Sequence, residues 1–382
     1  MAGTPNRPVR IALIAVVIDR HDAVSAAVID HYRALSAVPG WEVSLLAAHT
    51  DFDDLAIRIV PGVAQLVLDP VFQAADILIY HFAMHNSLWD ALLVGNGRAR
   101  QVVCFHNITP AELMPARQRR LVCESERQLS NLRHADRLWP VSQVNADRLC
   151  EAGMAPGRIT VMPLAVDRPA AARLQDKPQS PVELLFVGRF VASKGILDLL
   201  DAVGRIGRDG VAPFHLTLVG NLAFSDRAYA ERVAETIADR CEGDRVTLEG
   251  TADDDRLQTL YHRAQIFAIP SYHEGFCKPV IEALRAGCLP VGYAAYNLKY
   301  ITGGLGRMVP PGDIAGLAAA LAELIAAAAS PALAAGGACL PLDAGLLSAD
   351  DFQARADAHV DQFRFDRIAT RCVAAVRDLL AS

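Results

Sequence analysis

Lysine is scarce in this chain: four residues, at 177, 194, 278 and 299, stand against 33 arginines. Where arginine supplies the surface charge, a surviving lysine reads as a chosen compact point charge, and two of the four fall inside motifs described below. Long apolar runs are also missing. IALIAVVI at 11–18 runs directly into DRHD, is too short to span a bilayer and lacks a small-residue cleavage site, so it reads as a buried strand. The eight cysteines (104, 123, 150, 241, 277, 288, 339 and 372) form neither C-x-x-C pairs nor metal-finger spacing, and fit free thiols in a reducing cytoplasm. An excess of positive charge is absent: the formal net charge is −6, so nothing global calls for nucleic acid or an acidic polymer as partner. Nor does G-x-G-x-x-G follow the first strand of either half, which argues against a nicotinamide oxidoreductase.

What is present is 382 residues, 52% of them apolar, more than one hydrophobic core usually holds. Short apolar runs alternate with amphipathic ones. Strands are expected at 10–18, 42–48, 76–81, 101–106 and 137–141, then at 182–188, 215–221, 245–250 and 264–270, with helices such as 196–207 and 226–240 between them. This alternation predicts an α/β protein with two facing Rossmann-like domains and a cleft between them. The expected division is a domain at 1–167, a Pro- and charge-rich linker at 168–181, a second domain at 182–355, and a helical segment at 356–382 that packs back toward the first domain. The Ala-rich stretch from 314 reads as a helix to about 325. At 364–380 an amphipathic helix places Ile368, Cys372, Val373, Val376 and Leu379 on one stripe. No internal sequence repeat is visible.

In open α/β sheets ligands bind beyond the carboxyl ends of the strands, so chemistry is sought just after them. At 187–195, VGRFVASKG, a strand ends at Gly188, and Arg189 and Lys194 flank a loop before a helix with apolar residues at 196, 199, 200, 203 and 206. Two cations beside a helix N-terminus suit a diphosphate; solvated charges on a strand-turn-helix are the plainer alternative. At 271–283, SYHEGFCKPVIEA, Pro279 marks a helix start, so the amides of Gly275, Phe276, Cys277 and Lys278 gather at its positive end with Glu274 before them and Glu282 after. Amides for an anion and carboxylates for hydroxyls together suit a polyhydroxylated phosphate ester; a solvated Glu282 and a loop Glu274 are the plainer alternative.

These pieces resemble the retaining glycosyltransferases of family 4, with the two-domain GT-B fold. LLFVGRFVASKGILDLLDA, LTLVGN, VTLEGTADDDRLQTLYHRAQIFAIPSYHEGFCKPVIEALRAGCLPVGY and GGLGRMVPPGD match in order and spacing, and the family's E-x7-E signature falls on Glu274 and Glu282. The resemblance implies that Arg189 and Lys194 bind the diphosphate of a nucleotide sugar, that Glu282 binds the ribose hydroxyls and that Glu274 faces the sugar. Gly188 closes the strand before the diphosphate loop. Backbone groups at Gly275, Phe276 and Cys277 would hold the sugar and distal phosphate, and Asn221 with Gly250 and Thr251 would form the base pocket. The family usually has a small residue where Cys277 stands, and no thiol chemistry is inferred there.

The first half resembles the family less closely. FHNITPAEL at 105–113 looks like its histidine segment, which nominates His106, and with it Asn107, for the sugar and acceptor site; a core histidine is the alternative. VSQVNADRLCEAGMAPGRITVMPLAVD matches the segment before the linker. The family's Gly-Gly loop after the first strand is replaced here by VVIDRHDAVSAAV, where a helix starting near Asp22 would present the amides of Ala23 and Ser25 instead.

The resemblance implies retaining hexosyl transfer from a nucleoside-diphosphate sugar to a sugar, glycan or lipid-linked acceptor, by front-face attack, with catalytic roles for His106, Arg189, Lys194 and Glu274. No cofactor is expected beyond the donor, and no metal, since no carboxylate pair with ligand spacing lies near the proposed phosphates. A cytoplasmic protein is expected. Arginines 117, 119, 120, 127, 133 and 137 would allow peripheral contact with the inner face of the membrane, unless they are solvated helix faces among acidic residues 124, 126 and 136. A catalytically silent nucleotide-sugar-binding protein, or an epimerase or phosphorylase of the same fold, remains the alternative.

Overall fold

The computed structural model describes residues 7–20, 22–207, 211–221, 225–240, 245–337 and 339–381. Of the cysteines, Cys241 lies outside them. The chain divides into two compact units, Met1–Ala165 with Arg364–Ser382, and Val166–Phe363. The stretch 168–181 therefore belongs to the second unit, where the Arg285 Nε donates to the Pro169 carbonyl at 2.7 Å. Each unit is a Rossmann-like domain.

The first unit is a parallel sheet of β1 (Val9–Ile18), β2 (Trp41–Thr50), β3 (Ile57–Ile59), β4 (Ile77–Phe82), β5 (Arg100–Phe105) and β6 (Arg137–Pro140), in the order β3-β2-β1-β4-β5-β6. Its near-continuous apolar runs are what a sheet covered on both faces requires. Side chains alternate between two cores. Ala12, Ile14, Leu78, Tyr80, Phe82, Val103 and Phe105 enter one; Ile11, Leu13, Ala15, Ile77, Ile79, Val102 and Cys104 enter the other. The helix Ala23–Ser36 follows β1, capped by Asp22, whose Oδ2 accepts from the Ser25 amide at 2.8 Å and from its hydroxyl at 2.8 Å. The last helix, Phe365–Ala381, buries Ile368, Cys372, Val376 and Leu379 against the second core and the helix Ala23–Ser36, whereas Val373 on the expected stripe is only half-buried. At about 1.5–3 kcal/mol per fully buried aliphatic side chain, this stripe fixes the helix where propensity alone would not.

The second unit repeats the design with β7 (Val182–Val187), β8 (Phe214–Val219), β9 (Val246–Gly250), β10 (Ile266–Ile269), β11 (Leu289–Tyr293) and β12 (Arg307–Val309), in the order β12-β11-β10-β7-β8-β9. Numbered within its own unit this is the same strand order as the first sheet, although the two halves share no visible sequence repeat. The helix Ile196–Ile206 buries Ile196, Leu199, Leu200, Val203 and Ile206, the positions its sequence periodicity picks out, and packs against the Ala-rich helix Ile314–Ala328. A small antiparallel hairpin, Leu340–Leu342 with Gly345–Leu347, and the helix Ala349–Asp361 complete the unit. Among the described residues no helix is long and apolar enough to cross a membrane.

Candidate functional site

The residues singled out in the second half lie along one edge of one sheet. Because β10, β7, β8 and β9 are neighbours, the loops after their carboxyl ends line up in that order, carrying Glu274, Gly188 to Lys194, Asn221, and Gly250 with Thr251. Backbone hydrogen bonds lock the row: the Gly188 amide donates to the Val219 carbonyl at 3.0 Å and the Gly220 amide to the Gly250 carbonyl at 2.8 Å. Gly220 admits no side chain, since a Cβ there would stand 2.2 Å from the Gly188 carbonyl oxygen.

The two charged loops are fastened to each other. The Tyr272 amide donates to the Ser193 carbonyl at 2.8 Å. Gly195, at φ +65°, presses so close to the other loop that a Cβ would lie 2.1 Å from the Pro270 carbonyl oxygen. Beside this backbone contact the Lys194 Nζ meets Glu274 Oε1 at 2.5 Å, with side-chain exposures of 17% and 10%, so the ion pair is poorly screened. Arg189 is exposed and makes no ion pair with any described residue. Sequence reasoning placed both cations at one anion site; the structure engages Lys194 with Glu274 and leaves the guanidinium to solvent.

Beyond Glu274 the chain turns into the helix Lys278–Arg285. Cys277 caps it in the left-handed region at φ 77°, a conformation that costs a non-glycine residue free energy. The first turn leaves backbone N–H groups without an intrahelical acceptor, at the positive end of the helix dipole. Phe276 is buried, and its carbonyl accepts from the Asn297 Nδ2 at 2.8 Å, which fixes the loop from behind. The Cys277 thiol is pushed well up by burial and by the Glu274 carboxylate, against the opposing effect of Lys194, so it is an inert packing group.

Glu282 lies inside this helix, and its Oε2 accepts a 2.8 Å hydrogen bond from the Tyr261 hydroxyl. Burial pushes its carboxyl up, opposed by that hydrogen bond and by the Lys278 charge. Tyr261, in the helix Asp254–Arg263, went unnoticed in the sequence, as did Asp198, which accepts from the Tyr272 hydroxyl at 2.5 Å and the Tyr293 hydroxyl at 2.7 Å. No local pattern announces either; both act from other elements as supports for the charged loops. His273, stacked on Tyr296 with ring centroids 4.0 Å apart, braces the same turn.

His106 follows β5 in the first unit. Its Nε2 lies 3.0 Å from His81 Nδ1, the rings stack at 5.2 Å, and burial, followed by the charge of His31, lowers its pKa to about 3. The imidazole is neutral at ordinary pH. Asn107 beside it takes φ 103°. Of the arginines after this segment, Arg120 pairs with Glu124 at 2.9 Å along the helix Ala116–Gln128, while 117, 119, 127 and 133 are exposed and 137 half-buried.

Comparison with known proteins finds a family model in this second unit and structural likeness along nearly the whole chain. A family model described as "Glycosyl transferases group 1" matches residues 181–327. The glycogen synthase of Mycobacterium tuberculosis is 32% identical over 217 residues, 52% of this chain and 49% of that one, so the chain spans about half the length of that relative. Two solved structures are similar along nearly the whole chain. The sucrose-phosphate synthase from Thermosynechococcus elongatus has a TM-score of 0.73 at 21% identity, covering 98% of this chain and 99% of that one. Anabaena HepE in complex with UDP and glucose has a TM-score of 0.69 at 17% identity, covering 97% and 100%. At such identities the likeness shows the fold: two Rossmann-like domains of the GT-B type.

Proposed function

We propose that this chain is a retaining glycosyltransferase that moves a hexose from a nucleoside-diphosphate sugar to an acceptor hydroxyl, in polysaccharide, glycolipid or glycoconjugate biosynthesis. The observation that carries the reading is the ion pair of Lys194 with Glu274 between two helix N-termini, with Glu282 eight residues beyond Glu274. The group 1 glycosyl transferase match over 181–327 supports it, and the UDP named in the HepE structure suits a nucleoside diphosphate as the product.

In the proposal the Lys194–Glu274 pair is a placeholder. A diphosphate brings more negative charge than one carboxylate and draws the Lys194 ammonium to itself together with the exposed Arg189. Glu274 is then freed to accept hydrogen bonds from sugar hydroxyls, so donor binding exchanges one internal ion pair for two ligand contacts. Glu282 takes the ribose hydroxyls, with Tyr261 holding its carboxylate in place. The amides of Gly275, Phe276 and Cys277 face the distal phosphate and sugar, and Asn221, Gly250 and Thr251 the base. Gly188 keeps the strand end low enough for the diphosphate to lie across it.

No side chain among these is a free nucleophile, and the raised Cys277 thiol is unsuited to the part. As the family resemblance implies, the departing phosphate oxygen takes the acceptor proton while attack occurs on the face it leaves. Arg189 and Lys194, once drawn to the diphosphate, stabilise together with the helix amides the charge that separates, a contribution of the kind that costs about 10²–10³ in rate when one donor is removed. We assign His106 a catalytic role toward the sugar and acceptor. We assign no metal to the phosphates, and place the protein in the cytoplasm or at the inner face of the membrane with a sugar, glycan or lipid-linked acceptor.

The test is release of nucleoside diphosphate from a panel of UDP-, GDP- and ADP-sugars, with and without a membrane extract, for the parent and Glu274→Ala. Release from one donor that disappears in the variant supports the assignment. No release from any donor, with nucleotide-sugar binding intact, would replace it by a silent binding protein.

A further inference from the structure

The first unit brings three metal-ligating side chains together in its interior, by a route visible in the sheet. His81 on β4 and Cys104 on β5 are directly paired residues of adjacent parallel strands, and strand alternation sends both to the core shared with the helix Ala23–Ser36. That helix contributes His31. One ligand atom from each of the three lies within 4.8 Å of the others, and His31 Nδ1 is 3.8 Å from Cys104 Sγ. His31 is 6%, His81 1% and Cys104 2% exposed.

A second observation points to a ligand. His81 Nε2 is buried and has no hydrogen-bond partner, an omission that costs about 1–3 kcal/mol in a protein interior. Its other nitrogen is engaged, since Nδ1 lies 3.0 Å from His106 Nε2. This is the pattern of a metal-binding histidine, one nitrogen for the ion and the other held by a neighbour that fixes the tautomer. His31 is held by ring contacts, 5.2 Å from His81 and edge-on to Trp139 at 6.0 Å.

We propose that His31, His81 and Cys104 form a binding site for a thiophilic d10 metal ion, Cu⁺ or Zn²⁺. Imidazole and thiolate suit both ions, and the unpartnered Nε2 becomes a ligand. Tetrahedral or trigonal ligand atoms stand about 3.3–3.8 Å apart, so the set closes by roughly 1 Å of side-chain movement. Binding releases the Cys104 thiol proton to solvent, and no electron is transferred. Charge distinguishes the ions: a thiolate and two neutral imidazoles leave Cu⁺ uncharged overall, whereas Zn²⁺ would keep one positive charge in an apolar core and would ask for a fourth ligand. The histidines are already neutral at ordinary pH, because burial holds His31 at about 4 and His81 well below its usual value.

The site is separate from the phosphate-binding residues of the second unit and stands whether or not transfer is confirmed. It would nonetheless reach His106. An ion on His81 Nε2 forces the His81 proton to Nδ1, which makes His106 Nε2 an acceptor and leaves the His106 proton on Nδ1.

The experiment uses the full chain with Cys123, Cys150, Cys241 and Cys339 replaced by serine, which removes competing thiols. It is loaded with Zn²⁺, or anaerobically with Cu⁺ under ascorbate, desalted, and its metal content measured. The expected result is about one equivalent retained, unchanged by Cys288→Ala and lost in Cys104→Ala and in His81→Phe. Co²⁺ loading of the folded parent should give a sulfur-to-metal charge-transfer band that Cys104→Ser abolishes. Retention in Cys104→Ala, or no retention of either ion together with no cobalt–thiolate band in the parent, overturns the site. The cobalt reading on the parent stands even if the alanine variant does not fold.

Discussion

The Lys194 ammonium sits 2.5 Å from the Glu274 carboxylate across 80 positions of sequence, and the two side chains are the point at which the loops after β7 and β10 meet. Each is the other's counter-ion in the ligand-free protein. Lys194→Ala and Glu274→Ala should each lower donor turnover by about 10²–10³. Because each single change leaves a mostly buried charge unpaired, each should also cost stability, on the order of 1–3 kcal/mol, and the double variant less than the sum. Steady-state turnover with denaturant titration of the four proteins checks both. Additive stability losses would mean that the pair is not coupled.

The Tyr261 hydroxyl bonded to Glu282 predicts a different signature. If Glu282 binds ribose as proposed, Glu282→Gln should raise the KM for the donor about tenfold with a smaller change in kcat, since that charged hydrogen bond would be made in ground and transition state alike. Tyr261→Phe leaves the carboxylate but frees its orientation, so the same rise should appear at about a third of the size. A loss confined to kcat in either variant would move Glu282 from the ribose to the reacting centre.

Gly195 carries a purely steric prediction. With φ +65° and the Pro270 carbonyl oxygen 2.1 Å from where a Cβ would go, Gly195→Ala must force apart the loops that bear Lys194 and Glu274. A destabilisation of about 3 kcal/mol or more is expected, with loss of turnover. Gly157→Ala, where a Cβ meets nothing within 4 Å, should stay within about 0.5 kcal/mol of the parent. Equal behaviour of the two variants in thermal melts would contradict the close approach.

These sites differ in how far the sequence disclosed them. Apolar runs such as IALIAVVI and AQIFAIP betray β1 and β10 because strands buried on both faces must be apolar throughout. The three-residue edge strands Ile57–Ile59 and Arg307–Val309 are too short to carry a period, and the common strand order of the two sheets is a property of pairing. The places of Arg189, Lys194, Glu274 and Glu282 between strand ends and helix starts are readable because those boundaries have local signatures. Their partners are not: nothing near Tyr261 points to Glu282, and the meeting of His31, His81 and Cys104 depends on strand register and on a helix packing across it. Lys177 is the sharpest case, one of four lysines in the chain, yet buried with its Nζ on the Tyr261 carbonyl at 3.0 Å and beside the Cys288 thiol at 3.3 Å.

The buried imidazoles of the first unit set its response to acid. Burial lowers the pKa of His31 to about 4 from 6.5, and that of His81 well below its usual value, with the charges of His31 and His106 adding to burial there. Below pH 6.5 the unfolded chain takes up protons that the folded chain refuses, so unfolding binds protons and stability rises with pH across this window. The stabilisation is complete above 6.5 and is lost as pH falls toward the folded values, at up to about 1.4 kcal/mol per pH unit for each of the three rings His31, His81 and His106. All three tryptophans, 41, 89 and 139, lie in this unit, so their fluorescence follows its unfolding alone. Urea titrations at pH 7, 6 and 5 with a chelator present should show the midpoint falling steeply. His31→Leu should flatten the dependence by about a third, since His81 and His106 remain. An unchanged midpoint between pH 7 and 5 in the parent would mean that the rings accept protons in the folded state.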